Sequence, residues 1–310
     1  VPDSTKGLVI GASSYVLWGL STLYWPFLSS TGAVEILAHR MVWSLAGMLL
    51  VLLVMRHWRW LLRIVRSPRQ LLLVAGAATV ISGNWGIFIY TVNSGNALQA
   101  SLGYFINPLV SVVFGVLIFG ERLRPLQWTA VALGGVAVGV LTFDYGSPPW
   151  LALGLALCFA LYGVFKKFIR LDGLESLTSE TLLMLLPALG YLLFLHAMGT
   201  GTFGQISPVH TLLLIGTGAV TALPLLCFGF AVSRLPLSVL GLLQFTVPVM
   251  QFVIAWQVFG EEMSLGRWIG FAVVWSALLV FATDLVRNTR DRSAARRASA
   301  ATVRPDPERS

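Results

Sequence analysis

The chain has 310 residues, of which 56% are hydrophobic and only 11% charged, and its mean hydropathy is +0.81. Soluble globular chains are nearer a quarter charged, so this composition excludes an ordinary soluble enzyme. The net charge of +8 would suggest nucleic acid in a soluble protein, but here the arginines gather in short loops and a tail, as in a chain oriented across a membrane.

After Asp3 and Lys6 no Asp, Glu, Lys or Arg occurs until Glu35, and residues 70–120 and 181–233 are equally bare. Each longer run suits two crossings and a turn, because one crossing takes roughly 20 apolar residues. In chain order, apolar segments between charged or Pro/Gly/Asn punctuation predict spans at 8–27, 34–55, 71–91, 98–119, 126–143, 150–169, 177–197, 211–232, 237–259 and 265–285. The expected fold is an all-α polytopic membrane protein with ten transmembrane helices. No processing site follows the first apolar segment, so a cleaved signal peptide is not expected.

The basic residues test that count independently. Arg56, Arg59, Arg63, Arg66 and Arg69 follow span two, Arg122 and Arg124 follow span four, and Lys166, Lys167 and Arg170 end span six. Arg234 follows span eight, and Arg287, Arg290, Arg292, Arg296, Arg297, Arg304 and Arg309 lie in the tail. With ten spans all of these fall on one side, and only Arg267 breaks the pattern. Both termini are therefore expected in the cytoplasm. The tail at 286–310 has no apolar face to bury, and a disordered basic segment is expected there.

An offset of 140 residues aligns the halves: Pro108 falls on Pro248, Gly120 on Gly260, Glu121 on Glu261 and Trp128 on Trp268. Near the start, Trp18-Gly19 pairs with Tyr162-Gly163 at an offset of 144. Five spans per half is an odd number, so the second half must enter the membrane in the opposite sense. The expected organisation is a first repeat at 7–143, a second, inverted repeat at 149–285, and the tail. Such pairs can exchange unequal conformations and open a central site to either face in turn.

Polar residues inside spans are costly in lipid and usually face the protein interior. Glu35 and His39 stand an i,i+4 step apart on one helical face, and Arg40 follows. Either Arg40 snorkels outward while Glu35 pairs at the interface, or His39 and Arg40 face a cavity and hold an anionic or polar group. Asn84, Tyr104 and Asn107 are further cavity candidates, each with a structural interhelical hydrogen bond as the competing reading. Gln244 is equivalent to Tyr104 under the repeat, and Trp18 lies too deep for an interfacial belt. Pro108 and Pro248 each interrupt a helical hydrogen bond and are candidate hinges. Glu121 and Glu261, each after Phe-Gly, read as helix-end caps or gate contacts. Glu180, Asp284, His196 and His210 read as interfacial or outer-surface residues. Cys158 and Cys227 read as small buried hydrophobes. Soluble-protein catalytic motifs are lacking, so neither an enzyme nor a cofactor or metal site is expected.

Two opposed halves with FGE at the ends of spans four and nine resemble the EamA family of the drug/metabolite transporter superfamily. EILAHRMVWS, SGNWGIFIYTVN, ASLGYFINPL and FGERL sharpen the likeness to one branch of it, over about residues 7–285. Thr246-Val247 before Pro248 departs from the usual pattern, while Gln244 keeps its place. The resemblance implies a multi-pass permease of the bacterial inner membrane that exports or exchanges a small polar or amphipathic metabolite. Its partners would be the lipid bilayer, a small-molecule substrate and a second copy in a homodimer, with no nucleic acid. The alternative is a non-transporting membrane receptor or assembly scaffold.

Overall fold

A computed structural model describes residues 2–302 other than 56–59, 62, 63, 65, 170, 172, 233 and 236. Arg56, Arg59, Arg63, Arg170, Arg304 and Arg309 lie outside the described residues.

The helices are α1 (Pro2–Leu20), α2 (Ala33–Met55), α3 (Pro68–Asn93), α4 (Ala97–Phe119), α5 (Pro125–Tyr145) and α6 (Trp150–Phe168). They continue with α7 (Gly173–Ala197), α8 (Pro208–Val232), α9 (Leu237–Leu243), α10 (Thr246–Val253) and α11 (Leu265–Thr302). Among the described residues, nine helical spans are long and apolar enough to cross a membrane; α1 is not one of them. This is an all-α membrane protein.

Local sequence explains most helix ends. Ser67 accepts a bond from the Gln70 amide at 3.4 Å, and Pro68 opens α3 at the one turn where its missing N–H costs nothing. Gly146 stops α5 with φ +69°, a conformation that side-chain-bearing residues resist. Span one, expected to run helical over 8–27, leaves the α-helix at Leu20 and finishes as 3-10 turns at Ser21–Leu23 and Trp25–Leu28. Pro26, which has no N–H to donate to the Thr22 carbonyl, keeps the α-helical bonding from resuming there.

The ninth span differs from the unbroken 237–259 helix read from sequence. It breaks at Gln244-Phe245 between α9 and α10, then ends as a π turn at Ile254–Val258. Pro248 cannot donate to the Gln244 carbonyl, so the break falls one turn before it. Pro108 sits inside an unbroken α4. Beyond 285 the backbone stays helical to Thr302 where disorder was expected; the Ala- and Arg-rich composition has high helix propensity.

The chain divides into two compact units, residues 1–114 with 149–263, and residues 115–148 with 264–310. In the first, α1 and α2 pack on α8, α2 also packs on α7, and α3 packs on α6. The α2–α8 approach is close because Gly218 lies directly against the Trp43 backbone. In the second, α5 packs along α11, with Gly270 seated on Leu141. There Asp144 pairs with Arg267 at 3.2 Å and accepts from the Ser264 hydroxyl at 2.6 Å. The one arginine that broke the charge pattern is thus neutralised by its neighbour. Asp284, read as an interfacial residue, pairs with Arg124 at 2.9 Å and is buried within the protein.

Candidate substrate site

The polar interior of the first unit starts from α2. His39 and Arg40 are adjacent, so a helix turns them about 100° apart, and they reach different surroundings. The Arg40 guanidinium lies 4.0 Å from the Trp85 ring centroid and 5.3 Å from that of Trp25. Arg40 is 6% exposed, its Nε has no hydrogen-bond partner, and among the described residues no carboxylate pairs with it. It does not snorkel outward. Cation–π contacts return roughly 2 kcal/mol when desolvated, against several for burying a charge, so the site is electrostatically incomplete.

His39 instead stacks on Phe203, with ring centroids 4.9 Å apart and planes inclined by 22°. Both its ring nitrogens are buried without hydrogen-bond partners. The expected Glu35–His39 pair is not formed as a hydrogen bond. Glu35 Oε1 accepts from the Thr202 amide at 2.7 Å and the Thr202 hydroxyl at 3.0 Å. Backbone and hydroxyl donors in the 198–207 loop win over the imidazole because they reach the carboxylate directly. Thr31 extends the network to Thr202 at 2.8 Å and to His210 Nε2 at 2.9 Å. His210, read as an outer-surface residue, is consequently buried.

Asn84 is fully buried in α3. Its Nδ2 donates to the Leu155 carbonyl at 2.9 Å, and its Oδ1 accepts from the Tyr104 hydroxyl at 3.0 Å. This joins α3, α4 and α6, so Asn84 meets the interhelical reading while fixing Tyr104. Phe88 bridges the two halves of the site, 6.5 Å from Trp25 and 5.8 Å from Tyr104 between ring centroids.

The other candidates lie elsewhere. Asn107 accepts from Ser111 at 3.4 Å within α4 and joins none of these bonds. Trp18 packs with Tyr15 and Phe228 in the α1–α8 cluster, on which Leu243 and Val247 also pack. Gln244 is exposed at the helix break between those two residues. Pro248 is buried, and its carbonyl accepts from Ser101 at 2.8 Å.

Glu261 reaches back to α4, where its carboxylate accepts from the Ala97 and Leu98 amides, the latter at 3.0 Å. It caps a helix some 160 residues away in sequence. Glu121 folds back beside Gly115 in the second unit.

Sequence reasoning missed an ion pair between α6 and α7 with one buried member. Lys166 donates to Glu180 at 3.1 Å, and Glu180 also accepts from Ser176 at 2.7 Å and Tyr162 at 3.1 Å. Glu180, read as an interfacial residue, is buried within the protein. Trp25, readable from sequence as an interfacial-belt or cavity-wall residue of span one, and Trp85, beside Asn84 in span three, are the rings against Arg40. Among the described residues no group of three or more His, Cys, Asp or Glu could hold a metal.

Known proteins share this organisation. The EamA-like transporter family matches the chain twice, at residues 5–143 and 147–283. A protein named RarD from Streptomyces exfoliatus is 53% identical over 99% of this chain and 98% of its own length. RarD from Escherichia coli K12 is 38% identical over 94% and 98%, and an uncharacterized transporter of Vibrio cholerae 42% over 91% and 93%. A solved crystal structure with 18% identity superposes with a TM-score of 0.59, covering 91% of this chain and 98% of its own, which supports the fold. Matched in both halves and over nearly its whole length, the chain belongs to the EamA-like transporter family as a RarD-type member.

Proposed function

We propose that the chain is a secondary transporter that moves a small solute across the bacterial inner membrane by alternating access. The observation that carries this is Arg40, a buried cation against two indole rings with no paired carboxylate among the described residues. A scaffold gains nothing from an uncompensated charge at such depth, whereas a transporter needs groups that a passing solute completes. Tyr104, oriented by Asn84, gives the site a second polar point.

Ten crossings follow if α1 and its 3-10 extension make the tenth. Two inverted repeats, 7–143 and 149–285, are supported by the twofold family match. They are also supported by geometry that recurs at the offset of 140. Gly120 and Gly260 have φ of +65° and +68°, and the Glu121 and Glu261 amides bond to carbonyls six residues earlier, at 3.1 and 3.0 Å. The α1–α8 and α3–α6 contacts are likewise a pair that such a repeat would exchange. The break at Gln244-Phe245 is the kind of discontinuous helix from which transporters build sites. Both termini then lie in the cytoplasm, where anionic lipid favours the basic loops.

Comparing metabolites between deletion and overexpressing cells, then following uptake of the differing solute into proteoliposomes, tests the reading. Accumulation above protein-free vesicles supports it. No flux of any differing solute, with a stable protein partner copurifying, would replace it with a scaffold role.

A further inference from the structure

We infer that Arg40 selects a small organic anion, a carboxylate carried on an apolar body. This deepens the transporter reading and rests on it for its meaning in the cell.

Both indole contacts lie against the guanidinium, at 4.0 Å from Trp85 and 5.3 Å from Trp25. Guanidinium faces stack on rings while its N–H groups radiate in the plane, and that planar fork matches a carboxylate bidentately. Nε is buried and unpartnered, so donor capacity remains unused. The acid nearest in sequence, Glu35, is held away by two bonds to Thr202. Of the other buried carboxylates of this unit, Glu180 is engaged by Lys166, Ser176 and Tyr162, and Glu175 stands in the first turn of α7. Among the described residues no acid is left to pair with this arginine.

The neighbouring wall selects what carries the anion. Trp25, Phe88 and Tyr104 follow one another at 6.5 and 5.8 Å, and Phe159 continues the series 6.0 Å beyond Tyr104. Such rings reward an apolar body and offer little to a hydrated inorganic ion. A neutral solute would leave the Arg40 charge uncompensated, and a cation would be repelled.

The test uses the purified full-length protein in nanodiscs. Its probes are phenylacetate, indole-3-acetate and benzoate, each with its matched amide, together with inorganic phosphate. Binding is read as a saturable rise in thermal midpoint. At least one acid should bind at least tenfold more tightly than its amide, and R40Q should abolish that preference. R40K should retain part of it, because the charge survives without the fork. Should R40Q fold poorly, W85F keeps the charge and should weaken the acid a few-fold while preserving its preference over the amide. Equal binding of acid and amide, no binding of any acid, unchanged acid binding in R40Q, or phosphate binding without the organic acids would each overturn the assignment. Because binding is read without flux, its failure leaves the transporter reading intact. Selective binding by a protein that moves no solute would sink the transporter reading instead.

Discussion

Removing the Glu261 carboxylate should loosen the start of α4. Ala97 and Leu98 are the first residues of that helix, and their amides have no backbone acceptor within it. Glu261 supplies both bonds from a segment distant in the chain. Hydrogen bonds to a charged acceptor contribute roughly 1.5–3 kcal/mol each, with a further few tenths from the helix dipole. The site is half-buried, so water recovers part of the loss, and about 2–3 kcal/mol is the expected net cost of E261A. At about 2–4 °C per kcal/mol, the midpoint of thermal unfolding in detergent should fall by about 5–10 °C. E261Q keeps one acceptor and should lose about half as much. Size-exclusion recovery after graded heating measures both. An E261A midpoint within about 1 °C of wild type would refute the capping role, since water would then replace the carboxylate at no cost.

Three other outcomes follow from the same geometry. A methyl group on Gly218 would stand 2.5 Å from the Trp43 carbonyl carbon, so G218A should cost about 1–3 kcal/mol and reduce membrane yield, whereas G229A, with nothing within 4 Å, should be neutral in the same expression assay. N84A removes two buried bonds, to the Tyr104 hydroxyl and the Leu155 carbonyl, and should lower the detergent unfolding midpoint about twice as far as Y104F, which removes one of them. K166M leaves buried Glu180 without its cation and should destabilise by about 2–3 kcal/mol, while K166M/E180M should recover most of the loss in a double-mutant cycle. A double variant no better than the single would mean that the pair is not coupled.

Helix positions were legible because hydropathy responds to lipid, and lipid acts on whole segments. The turns at Gly120 and Gly260 were legible because a repeated Phe-Gly-Glu marks the same left-handed stop twice. Partner choice was far less so. Spacing along α2 placed Glu35 beside His39, but spacing describes one helix only, and the donors that captured Glu35 belong to a loop 167 residues later. Glu180 and His210 looked interfacial from their distance to a span end, yet α6 and the Thr31 turn cover them. Pro248 announced a disturbance in span nine without saying that the helix would part at Gln244. Pro108, its repeat counterpart, sits in a continuous helix, so the local sequence TVP in place of INP, and its packing, decide whether the interruption becomes a break. Arg40 was legible as an oddity, but its two tryptophans come from an irregular turn and a different helix.

The central claim is that this chain moves a solute through the site that Arg40 leaves incomplete. Proteoliposomes containing wild-type protein, R40Q or no protein, loaded with a clarified bacterial metabolite extract and sampled by mass spectrometry, address it directly. At least one carboxylate-bearing solute should leave wild-type vesicles faster than empty ones, with R40Q slowing that loss at least tenfold at equal protein insertion. Efflux from wild-type vesicles that matches empty ones for every solute, or that is indifferent to R40Q, would contradict it.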